Sequence, residues 1–521
     1  MMETLGEEPW DVVICGTGLQ QSLLALALSR SKKRILHIDP NDYYGEHEAA
    51  FSLQEADSWA ATHAGVSKAQ GLNTEGGSTT GASSKDTIFQ NASVWTHPEA
   101  SALGLSFPRA YSLALAPQII HTRSKLLEQL VSSRAYRQVE FLAVGSFFVY
   151  DANASDVSSK LARIPSSRED VFSTQSIPVK SKRSLMKFLK FVIDYDSEEQ
   201  KPTWEGQEDK PLSEFLASAF KLDENLQKYI LALTLTLDGR VTVADGLAII
   251  NRHLTSMGLF GPGFCAVYPK WGGSSEIAQV ACRAGAVGGG IYMLDTKAET
   301  KDSVNGDEIT LSLSNDLSIR TTKLITSQNN AAPGAQTITR LIAVVNSPLN
   351  ALFEVVVEGA PTPTVAVVAF PSGSATEDSS STPSESPIYA LVHSSDTGEC
   401  PAGQSVIYLT TLAAPQSAQR LESALDALLA AATPTGSPKL VCLYKLQYEQ
   451  SLSDRKPTST THGSVSTFAF PSPSHNLAFD DGCLEAVKDA WKLVMGGEAS
   501  EDEYMVFQDR EGVGDEDEVY D

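Results

Sequence analysis

Asp11-Val12-Val13-Ile14-Cys15-Gly16-Thr17-Gly18-Leu19-Gln20-Gln21 is the stretch of this 521-residue chain that decides its fold. The apolar, β-branched opening is too short for an amphipathic helix and reads as a buried strand. Glycines end it, and residues 19–29, rich in Leu, Ala, Ser and Gln, suit a helix. Residues 34–39 then read as a second strand, stopped at Pro40. Strand, glycine turn, helix and a second strand ending on an acid form the context of a dinucleotide-binding βαβ unit, in which Gly16, Gly18 and Asp39 would hold the nucleotide. Gln21, however, stands at the third glycine position, where a side chain is expected to disturb the approach of helix to strand. The motif therefore reads as a vestigial dinucleotide loop without a cofactor. A flavin oxidoreductase using Gly16, Gly18 and Asp39 is the alternative from a different functional class.

Residues 55–93 turn to Gly, Ser, Thr and Ala without hydrophobic periodicity, which predicts a flexible insertion. Residues 181–195 and 212–257 carry apolar side chains at helical spacing, as at Leu185, Phe188, Leu189 and Val192. Gly258-Leu259-Phe260-Gly261-Pro262-Gly263 punctuates the end of that region. Strand-like runs follow at 264–268, 340–345, 364–370, 405–410 and 439–444, with a flexible loop at about 371–387. After Gly497 the sequence is acidic and reads as solvated. The chain thus divides into 1–162, a helical 163–261, a return to the first domain over 262–496, and a tail at 497–521.

Composition bounds the function. Hydrophobic residues make up 42% and charged residues 20%, ordinary for a globular chain long enough for two domains. A formal net charge of −24 repels nucleic-acid phosphate and anionic lipid, so no nucleic-acid partner is expected and basic partner surfaces fit better. The six cysteines lie far apart, without a C-x-x-C pair, so reduced thiols are expected. His37, His47, His121 and His253 are scattered in sequence, and no metal site is expected. Neither a secretory signal nor a membrane-length apolar run is read from the sequence, and Val519-Tyr520-Asp521 offers no cysteine for prenylation.

The opening stretch, continued by Leu36-His37-Ile38-Asp39-Pro40-Asn41-Asp42-Tyr43-Tyr44-Gly45, resembles the first sequence block of the Rab escort protein and Rab GDP-dissociation inhibitor family. A second block runs from Ser124-Lys125-Leu126-Leu127 through Tyr136 and Glu140-Phe141 to Gly145-Ser146-Phe147-Phe148-Val149-Tyr150. A third runs from Tyr268-Pro269-Lys270-Trp271-Gly272-Gly273 through Glu276 and Arg283 to Gly289-Gly290-Ile291-Tyr292-Met293-Leu294. Two departures stand in the third block: Gly272-Gly273-Ser274-Ser275 is one residue longer than usual, and Trp271 stands where tyrosine is common.

The resemblance implies an α/β fold, with a large FAD/NAD(P)-binding-like domain of mixed sheets and a smaller all-helical domain. It implies no cofactor and no catalysis by this chain. Tyr44, Glu276, Arg283, Ile291 and Met293 fall on the family's platform for GDP-bound Rab GTPases. In the helical part, Leu185, Phe188, Leu189, Val192, Ile230, Leu231 and Leu233 become candidates for a prenyl pocket or transferase interface, or for plain helix core. The escort type presents GDP-bound Rab to the geranylgeranyltransferase alpha/beta dimer, shelters the prenyl lipid and delivers the product to membranes, so a cytoplasmic protein with transient membrane association is expected. Asp39-Pro40-Asn41-Asp42, Arg123-Ser124-Lys125-Leu126-Leu127 and Ser184-Leu185-Met186-Lys187-Phe188-Leu189 favour that type over the recycling inhibitor of prenylated Rab.

Overall fold

Val12–Cys15 and Ile35–Ile38 pair in parallel, with Val13 opposite Leu36, and are almost wholly buried on both faces, as their unbroken apolar character requires. These strands belong to a computed structural model that describes residues 3–65, 88–156, 159–165, 170–171, 177–301, 307–328, 336–374, 386–434, 436, 438–451, 456–471 and 476–508. The sheet continues in the order Ile291–Met293, Ile35–Ile38, Val12–Cys15, Lys323–Ser327, Val465–Phe470, Thr458–His462. All neighbours in it are parallel except the last pair. Between the first two strands runs the helix Leu19–Leu28, buried along its whole length beneath Ser274–Val287 and Gly482–Met495. That double cover explains why the helix shows no polar face.

The second large sheet is mixed. Its strands lie in the order Phe89–Thr96, Cys442–Ser451, Thr337–Val345, Ser405–Leu412, Ile388–Ser394, Val365–Phe370, Phe141–Tyr150, Ala266–Pro269, Ile120–His121, with Leu161–Arg163 beside Phe141–Tyr150. Alternation sends Leu341, Ala343 and Val345 towards the helix Ser417–Ala432, and Ile338, Ile342 and Val344 into the opposite core. Helices Val179–Ile193, Leu212–Phe220, Glu224–Ala232 and Val243–Ser256 enclose their own core of Phe188, Phe191, Phe215, Phe220 and Leu247. Asp223 and Thr242 cap two of them, each side-chain oxygen accepting a backbone N–H in the first turn. The whole is α/β: a large dinucleotide-fold body with mixed sheets and a helical part beside it.

Three expectations change. Residues 55–93 are not one loose insertion: Leu53–His63 is a helix closed by a Ser52/Glu55 capping box, and Ala56, Trp59 and Ala60 are buried. At the other end Phe89–Thr96 is an edge strand, so only 66–87 lie outside the described residues. A Gly/Ser/Thr/Ala-rich average hid a short amphipathic helix at its start. In the acidic tail, Tyr504 and Met505 are buried against the core that holds Trp491. Finally, 442–451 is the strand, and the run from 439 only leads into it. The loop expected at 371–387 falls mostly outside the described residues.

Candidate functional site

The glycine turn has the backbone of a phosphate cradle, with Gly16 at φ +98° and the helix Leu19–Leu28 starting directly behind Gly18. Its space is filled by the chain itself. A β-carbon on Gly16 would overlap the Glu46 carboxylate, and one on Gly18 would lie 2.8 Å from Glu46 Oε2. Glu48 Oε2 accepts from the Leu19 N–H at 3.3 Å, taking the place an anion would hold at the helix start. Asp39, the acid that would meet a ribose, instead accepts from the Thr17 N–H at 2.7 Å and the Thr17 hydroxyl at 2.6 Å, and is fully buried. Burial pushes the Glu48 carboxyl up to about 7; burial, with Asp39 and Glu48 as neighbours, pushes Glu46 well above its ordinary value. A flavin or nicotinamide pyrophosphate does not fit this turn. Gln21 is accommodated, because its amide donates to Ser327 Oγ and Glu46 Oε2.

On one flank of this unit the helix Ser274–Val287 carries Glu276 half-buried and Arg283 exposed, seven residues apart and so on one helix face. Burial raises Glu276 above its ordinary value, and Arg283 has no ion pair among the described residues. Tyr44 leans towards Tyr292, their ring centres 6.4 Å apart. Tyr292 in turn points at the helix, where Gly285 makes room: a β-carbon there would come 2.5 Å from Tyr292 Oη. Its neighbours Ile291 and Met293 therefore face the other side of the sheet edge, Ile291 exposed and Met293 packed on the core that holds Leu36 and Ile38. The structure thus gathers Tyr44 with the helix of Glu276 and Arg283, and sets Ile291 and Met293 around the edge.

Between the helical part and the strand Phe141–Tyr150 lies an apolar cavity of about 750 Å³. Leu185 and Leu189 reach it from one helix, Ile230 and Leu233 from a second, and Leu254 and Met257 from the end of a third, with Phe147 and Ile164 as its floor. Lys187 and Lys190 stand at its wall as charged groups on long apolar stems.

The family model described as GDP dissociation inhibitor matches residues 6–69 and 73–354. The chain belongs to the GDP dissociation inhibitor family. It is 30% identical over 427 residues to the Rab proteins geranylgeranyltransferase component A of Saccharomyces cerevisiae, an alignment covering 80% of this chain and 64% of that relative's length. It is 27% identical to Rab escort protein 1 of Arabidopsis thaliana, covering 94% and 93% of the two chains. The fold matches the crystal structure of a Rab GDI from Plasmodium falciparum at a TM-score of 0.63, with 17% identity over 95% of this chain and 99% of that one.

Not every residue singled out from the sequence of this GDP dissociation inhibitor family member lies where a ligand could reach it. Phe188 and Val192 are wholly buried within the helical core and do not line the cavity, whereas Leu185, Leu189, Ile230 and Leu233 do. Leu231 borders a smaller depression beside Tyr389 instead. Sequence reading missed Phe147, Ile164, Tyr229 and Met257, which come from four different elements or loops and share no periodicity. Trp271, noted only as a departure, is exposed, holds φ +73° and has the Lys270 ammonium 5.0 Å from its ring centre. The histidines are not all scattered: His121 and His253 meet with their ring centres 5.7 Å apart, beside Cys265. No helix among the described residues is long and apolar enough to cross a membrane.

Proposed function

We propose that this chain is an escort-type member of its family. It binds GDP-bound Rab GTPases around the sheet edge that carries Tyr44, Glu276 and Arg283 on one side and Ile291 and Met293 on the other, presents them to the geranylgeranyltransferase alpha/beta dimer, and carries the prenylated product to membranes. Catalysis belongs to the dimer. The observation that carries the reading is the apolar cavity of about 750 Å³ lined by Leu185, Leu189, Ile230 and Leu233. A prenyl chain costs about 0.8 kcal/mol per CH₂ to keep in water, so a protein that holds it between membranes needs such a space. Support for the escort type over the recycling inhibitor comes from the names of the relatives above and from the Asp39–Asp42 and Arg123–Leu127 runs. The proposed role is cytoplasmic, with membrane contact only at delivery.

The test is the affinity of the purified chain for one GDP-bound Rab with and without a fluorescent geranylgeranyl group. Binding of both forms, tighter for the prenylated one and with a blue-shifted probe, is expected. Equal affinity, with the probe still in water, would remove the cavity from the account.

A further inference from the structure

His121 ends the two-residue strand Ile120–His121, His253 lies in the last turn of the helix Val243–Ser256, and Cys265 immediately precedes the strand Ala266–Pro269. His121 is distant in sequence from the other two, which are 12 residues apart, yet all three are buried together, and one ligand-capable atom from each lies within 4.8 Å of the others. Cys265 Sγ is 3.6 Å from His253 Nδ1 and 3.8 Å from Nε2. Neither ring nitrogen of His121 has a hydrogen-bond partner among the described residues. Two unpartnered nitrogens on one buried imidazole are costly, since buried polar groups are ordinarily satisfied. A hydrogen-bonded core histidine, the ordinary explanation, therefore does not describe His121.

We propose that His121, His253 and Cys265 form a binding site for one closed-shell thiophilic cation, zinc(II) or copper(I). Two imidazoles and a thiolate are the donor set such ions select. In a tetrahedral centre with bonds of about 2.0–2.3 Å, sulfur and nitrogen ligands stand roughly 3.5 Å apart, the separation already present between Cys265 and His253. Rotation of the His121 imidazole completes the set. On binding, the Cys265 thiol proton leaves to buffer as the metal–sulfur bond forms. The ion would tie the end of the Val243–Ser256 helix to the large sheet, next to the hydrogen bond from Thr122 Oγ1 to the Ser256 carbonyl at 2.6 Å. His253 also lines the apolar cavity, so the clamp would lie under its wall.

The experiment loads the reduced full chain with zinc sulfate, or with copper(I) held by a weak chelator, and measures metal per chain after gel filtration; cobalt(II) serves as the spectroscopic probe. About one equivalent of zinc or copper is expected to remain, with a thiolate-to-cobalt charge-transfer band and a rise in the thermal midpoint. Both metal and band should be lost in Cys265→Ser and His121→Asn and kept in Cys442→Ser. Whichever of zinc and copper(I) withstands the stronger competitor identifies the ion. Failure of the wild-type chain to retain either metal, or absence of a thiolate band in it, overturns the proposal, and these readings hold even if a variant does not fold. Retention undiminished in Cys265→Ser overturns it too, since that marks binding at surface histidines such as His462.

Discussion

Glu46 occupies the space above Gly16 and Gly18, its Oε2 lying 2.8 Å from where a Gly18 β-carbon would be. The two glycines that in a dinucleotide fold admit a pyrophosphate here admit a carboxylate of the same chain. Glu46 itself holds φ +43°, a left-handed backbone that a non-glycine residue adopts only under the constraint of its surroundings. Gly16→Ala combines a strained φ with a clash against that carboxylate. It should lower the unfolding free energy by about 2–4 kcal/mol, read from urea denaturation. Added FAD should leave the thermal midpoint of the wild-type chain unchanged.

The same buried acids predict a pH dependence. Glu48 is raised to about 7 when folded, against 4.5 as a free side chain, so the folded state holds its proton over a range where the unfolded state has lost it. Its contribution to stability is therefore complete below about 4.5 and declines as pH rises through about 7. Glu48→Gln keeps an oxygen to accept from Leu19 N–H but cannot ionise. It should stabilise the chain at pH 8 relative to wild type by on the order of 1–3 kcal/mol, and by much less at pH 5. Equal effects at both pH values would show that Glu48 does not titrate in this range.

Neighbouring residues on one helix should separate stability from ligand binding. Phe188 is wholly buried among Phe191, Phe215 and Phe220, and Phe188→Ala should cost about 3–5 kcal/mol of unfolding free energy. Leu189 is half-buried and borders the cavity. Leu189→Trp fills the space and should weaken binding of prenylated Rab by roughly tenfold, about 1.4 kcal/mol, while leaving unprenylated Rab binding unchanged. Titration calorimetry with the two Rab forms distinguishes these outcomes.

On the proposed platform, Arg283 is exposed and has no ion pair among the described residues, so Arg283→Glu should leave the thermal midpoint unaltered. Rab association should slow by on the order of tenfold at low salt, with the difference narrowing as salt rises. A drop in the midpoint instead would assign Arg283 a structural task.

The strand, glycine turn and helix from Val12 to Leu28 were legible because each is a local pattern: a β-branched run, a break, and a stretch of helix formers. Glu46 was not, since nothing in its spacing shows that its side chain turns back into a turn thirty residues earlier. Leu185, Phe188, Leu189 and Val192 share one helical period, yet Phe188 and Val192 point to the core and Leu185 and Leu189 reach the cavity. Periodicity marks an apolar face without saying whether that face closes on itself or leaves a space. His121, His253 and Cys265 are joined only by tertiary packing, so their meeting has no sequence signature. The helix Leu53–His63 was lost beneath the composition of the segment that follows it.

The most direct test of the escort reading is reconstituted transfer: GDP-bound Rab, geranylgeranyl diphosphate and the catalytic transferase dimer, with and without this chain. Prenylated Rab formed only when the chain is present, and lost when Arg283→Glu and Leu189→Trp are combined, is the predicted result. Transfer that proceeds equally without the chain, or fails with it while the chain binds Rab that is already prenylated, would contradict the escort role and leave a recycling inhibitor.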